Sequence, residues 1–102
     1  MTWTSETIRK ALDQSDMNVC KAVVTIYRRQ TREEQGSYTT RVTNGVGFNK
    51  YDAEILTSFA LQIMRNKDMG RRYLLSRAQM NIARKRIRKY SKQLARIANG
   101  EI

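Results

Sequence analysis

One stretch near the end of this chain, SRAQMNIARKRIRKYSKQLARIA from Ser76 to Ala98, constrains the fold more than any other. Met80, Ala83, Ile87, Tyr90, Leu94 and Ile97 recur at spacings of three and four, and at about 100° per residue these gather on one side of a helix. Lys85, Arg88, Lys89, Lys92 and Arg96 project to the opposite side, and Arg77 and Arg84 to the flanks. Arg86 falls near the apolar stripe, where its stem can cover apolar surface while its head reaches water. Ser76 and Gln79 form an S-x-x-Q capping box, so the helix should begin at Arg77, and Gly100 ends it. Such a stripe must be buried against other elements.

The rest of the chain supplies helices for that purpose. Thr4 is the expected N-cap of a helix over 5–13, with Ile8, Ala11 and Leu12 inward and Trp3 placed to staple against Ile8. Ser15–Asp16 opens a second helix that runs to Gly36, its apolar side formed by Val19, Cys20, Val23, Val24, Ile26 and Tyr27. A third is expected from about 50 to 65, with Asn49 as N-cap, Asp52 favoured by the helix dipole, and Leu56, Phe59, Ala60 and Ile63 inward. Asn66–Gly70 is a turn signal. Residues 37–49, SYTTRVTNGVGFN, are the least regular and leave room for a short β-strand pair near 37–48. The expected architecture is mainly α, a single four-helix domain of 102 residues.

Charge dominates the composition, at +11 overall. Residues 1–68 carry ten Lys or Arg against eight acids, whereas 69–102 carry ten against one, so the excess is local. With the single Cys20 and no histidine, no His/Cys metal site or intrachain disulfide can be assembled. Cys20 lies on an apolar stripe and reads as a small buried hydrophobe. Asp52 and Glu54, two apart, fall on different faces of a helix, where dipole and solvation roles suit them better than acid–base work. No catalytic constellation emerges, and neither enzyme activity nor a cofactor is expected. No segment reads as a signal peptide or membrane span, so a cytoplasmic protein is expected.

The basic stretch points to a polyanion. Arg77, Arg84, Lys85, Arg88, Lys89, Lys92 and Arg96 would contact phosphates, and Arg71 and Arg72 would extend the track. Asn81 and Gln93 could reach base edges, although no helix-turn-helix spacing places this helix in a major groove. The NGVGF loop has two readings: a tight turn with Phe48 against the core, or a backbone cradle in which Asn44, Gly45, Gly47 and Phe48 meet a ligand. It lacks the GK[ST] of a phosphate-binding loop.

Three segments carry a resemblance: IYRRQTREEQ at 26–35, NGVGFNKYDA at 44–53 with SFA at 58–60, and LSRAQMNIARKRIRKYSKQL at 75–94. Together they resemble a family of small phage, prophage and plasmid proteins, and are similar to accessory segments of larger helicase-like proteins. Asn44, Gly45, Gly47, Phe48, Asn49, Asp52, Gln79, Arg84, Lys85, Lys89, Tyr90 and Gln93 match its motif positions. The resemblance implies DNA metabolism, hence a DNA-binding accessory protein acting in the host cytoplasm. The alternative it implies is an inhibitor or adaptor that sets the same cations against an acidic host protein.

Overall fold

The structure, a computed structural model, describes residues 2–36 and 47–101, with side chains outside 31–36. Each expected helix is present, and no strand occurs among the described residues. The strand pair expected near 37–48 falls almost wholly outside them. Helix α1 spans Ser5–Gln14, α2 Asp16–Gly36, α3 Ala53–Asp68, and the fourth helical stretch is α4 (Arg77–Ile87), a 3-10 turn (Arg88–Tyr90) and α5 (Ser91–Ala98).

Local chemistry explains the boundaries. Thr4 caps α1 in a reciprocal box with Thr7, and Ser76 caps α4 in the same way with Gln79. Ser15 Oγ accepts from the Met17 and Asn18 amides at the start of α2. The third helix departs from expectation: Asn49 Oδ1 accepts from the Tyr51 and Asp52 amides, forming a turn over 50–52, and α3 starts at Ala53. At the end of α3, the Gly70 amide donates to Lys67 and the Arg71 amide to Asn66, a Schellman closure that needs the positive φ of 69° at Gly70.

The apolar stripes meet as their spacing requires. Val19, Val23 and Ile26 of α2, Leu56, Ala60 and Ile63 of α3, and Ala83 and Ile87 of α4 are buried together. Tyr90 and Leu94 continue the core toward α1, where Leu12 is buried. The last stretch is not one uninterrupted helix. A 3-10 turn advances about 120° per residue rather than about 100°, so residues 88–90 rotate the apolar side of α5 relative to that of α4. The result is a division of labour: α4 packs on α2, and α5 packs on α1. No helix among the described residues is long and apolar enough to cross a membrane.

Candidate functional site

The basic face takes two different forms in the folded protein. Of the five cations in 84–89, four are bound to acids from other parts of the chain. Arg84 pairs with Asp16 and also donates to the Leu12 carbonyl, while Arg88 pairs with Asp13. Arg86 and Lys89 both reach Asp52, at 2.8 and 2.7 Å. The basic helix is therefore tied along both flanks, to the α1–α2 corner on one side and to the turn before α3 on the other. Lys85 alone of these five has no acidic partner among the described residues.

This revises the helical projection in particular places. Arg84, Arg88 and Lys89, expected as phosphate contacts, are each paired with an acid from elsewhere in the chain, and the head of Arg86 rests on a carboxylate while still partly reaching water. Arg71, Arg72, Arg77, Lys85, Lys92 and Arg96 remain exposed and have no acidic partner among the described residues. Ten cations against Glu101 become six uncompensated once Asp13, Asp16 and Asp52 are counted with the segment they neutralise.

Asp52 is the largest departure from expectation. Far from being a solvated helix-start acid, it is 0% exposed. Its Oδ1 accepts from Arg86, and its Oδ2 accepts from Lys89 and, at 2.7 Å, from the Tyr90 hydroxyl. Burial pushes the carboxyl up, but the hydrogen bonds from Lys89, Tyr90 and Arg86 and the charge of Lys89 outweigh it, holding the pKa at about 2. Burial, followed by the pull of Asp52 against the opposing Asn49 amide, raises the Tyr90 phenol to about 12, so it stays a donor.

The loop expected either to turn or to cradle a ligand is fastened to this centre by its own backbone. The Gly47 amide donates to Gln93 Oε1 at 3.0 Å, and Gln93 Nε2 donates back to the Gly47 carbonyl. The Phe48 amide donates to Gln30 Oε1 at 2.8 Å, and the Asn49 amide to the Tyr90 oxygen at 2.8 Å. Phe48 packs edge-on against Tyr90, with ring centroids 5.6 Å apart. Every described amide from 47 to 49 is thus engaged inside the protein; Asn44 and Gly45 lie outside the described residues. Gln30, Gly47–Asp52 and Lys89–Gln93 come from three distant segments of the chain, and they converge here. With Asp52 buried at its centre, this convergence joins three distant parts of the fold.

A groove of about 560 Å³ opens elsewhere, between the start of α2, the 71–76 connection and the first turns of α4. Arg72, Arg77 and Arg84 line it together with Tyr73, Met80 and Asn81. Tyr73 is 74% exposed, and the Arg72 guanidinium lies 5.6 Å from its ring centroid. Sequence reasoning passed over Tyr73, although an aromatic that directly follows two arginines is the available signal. A second concave surface, lined by Ile82, Lys85, Arg86 and Lys89, lies along α4 and the 3-10 turn.

Cys20 is buried within the core; burial, then the charge of Asp16, raise its thiol above the ordinary value, with Arg84 opposing. No group of three His, Cys, Asp or Glu arranged to hold a metal occurs among the described residues. No family model, curated protein or solved structure matches the chain.

Proposed function

We propose that the protein is a nucleic-acid-binding accessory factor of a phage or mobile element, with DNA as the favoured ligand. The observation that carries this reading is the set of six exposed cations left over after the internal ion pairs are counted, three of them within 71–77. Uncompensated like charge on a small domain destabilises it, and a phosphate backbone relieves that cost through counterion release. The resemblance to phage and plasmid proteins supports the same reading.

The ion pairs decide how the test must be built. Reversing Lys89 or Arg88 would strip a partner from an acid and confound binding with stability. Arg71→Glu/Arg72→Glu/Arg77→Glu removes no ion pair seen among the described residues. In a fluorescence titration with labelled DNA, the wild-type affinity should fall steeply with salt. The triple variant should bind more weakly and flatten the log–log salt slope by about 2–3. Absence of salt-dependent binding in dilute buffer would reject the reading. A stoichiometric host protein that co-purifies after nuclease treatment would favour the adaptor role instead.

A further inference from the structure

Resting on the nucleic-acid reading, we infer that the groove beside the 71–77 segment is a site for an unpaired nucleotide of a single strand, with Tyr73 as stacking platform and Arg72 and Arg77 as phosphate anchors. The argument begins with where the charge is free. Across 84–89, four of the five cations are paired with acids: Arg84 and Arg88 hold Asp16 and Asp13, and Arg86 and Lys89 hold Asp52. Half of the unspent charge, Arg71, Arg72 and Arg77, lies at and just before the start of the helix, and Arg72 and Arg77 line the same groove. Tyr73, a residue 74% exposed, lies between them in sequence.

Cations beside an exposed aromatic are the combination that holds single strands, because the bases of a duplex are stacked on one another and offer no face. Two further features fit a single nucleotide. The groove, about 560 Å³, lies within the roughly 300–1,000 Å³ usual for small ligand sites. It also combines the apolar side of Met80 with the exposed amide of Asn81, able to donate to or accept from a base edge. Asp16 is the one acid lining the groove, and Arg84 already neutralises it, so Arg72 and Arg77 leave the groove net positive. This balance of charge selects an anionic occupant. The apolar surface and the ring select one with a flat aromatic face, which a peptide of acidic residues alone lacks.

The test compares a labelled oligo-thymidine strand, a hairpin duplex of matched phosphate number and a poly-glutamate peptide of matched charge, each titrated against wild type, Tyr73→Ala and Tyr73→Phe. Since Tyr73 is exposed, Tyr73→Ala should retain the wild-type helical signal and melting. Expected are preference for the single strand, a loss of roughly tenfold or more in Tyr73→Ala confined to that ligand, and near-full retention in Tyr73→Phe. Unchanged single-strand affinity in Tyr73→Ala, an equal loss for duplex, or equally tight poly-glutamate binding would overturn the site while leaving salt-dependent DNA binding standing. Absence of any nucleic-acid binding by wild type would overturn both readings at once.

Discussion

At the scale of single residues, Asp52 carries the most consequence. A buried carboxylate contributes only if its partners more than offset desolvation, and here two cations and a phenol converge on it. Asp52→Asn is expected to cost about 2–3 kcal/mol, moderated because the heads of Arg86 and Lys89 partly reach water. The pH dependence has a definite sign. The folded-state pKa is lowered from 3.8 to about 2, so the carboxylate stabilises the fold above about pH 4, and that contribution of about 2 kcal/mol disappears as pH falls toward 2. Urea unfolding of wild type and Asp52→Asn should therefore differ at pH 7 and converge near pH 2. A gap that stays constant across that range would show that ionisation of Asp52 is not what stabilises the fold. None of this was visible in the sequence, where Asp52 looks like any acid near a helix start, because its partners lie 34 and more positions away.

At the scale of elements, the apolar stripes were legible because each arises from a local period. Val19, Val23 and Ile26, or Leu56, Ala60 and Ile63, repeat within their own helix, and burial followed the repeat. The capping boxes at Thr4 and Ser76 were equally local. The 3-10 turn at 88–90 was not, since it depends on α4 and α5 meeting different neighbours. The 47–49 loop belongs with it, because Gln30 and Gln93 from distant helices occupy its amides. Gly47 has a φ of 131°, and a Cβ there would stand 3.0 Å from Gln30 Oε1, the acceptor of the Phe48 amide. Gly47→Ala should therefore strain the backbone and displace that acceptor, lowering stability by about 1–3 kcal/mol in urea titration. A variant as stable as wild type would show that the loop does not need this fastening.

Considered as a whole molecule, the fold brings its first and last helices together. The Trp3 amide donates to Asn99 Oδ1, and Asn99 Nδ2 donates to the Trp3 carbonyl, each at 2.8 Å. Arg9 adds a bond to the buried Ser91, so α1 is held on α5 by polar contacts as well as by packing. Asn99→Ala should cost about 1 kcal/mol and speed amide exchange in α1 more than in α2 or α3, measured by hydrogen–deuterium exchange. Uniform acceleration in all helices would show that α1 does not open independently. The same global arrangement sets where charge is left unpaired among the described residues: acids from α1, α2 and the turn before α3 hold Arg84, Arg86, Arg88 and Lys89, and leave Lys85, Lys92, Arg96 and the arginines beside Tyr73 without an acidic partner.

The sequence alone determined the helical class, the inward side of each helix, its principal caps and the concentration of positive charge in the last third, because periodicity, capping and net charge act between near neighbours or simply add. Tertiary structure decided which of those charges are paired with acids. Asp13, Asp16 and Asp52 lie far along the chain from the arginines and lysine they hold. Ion pairing depends on distance in space, and only the packing of α1, α2 and α3 around α4 brings those groups within a few ångströms of each other.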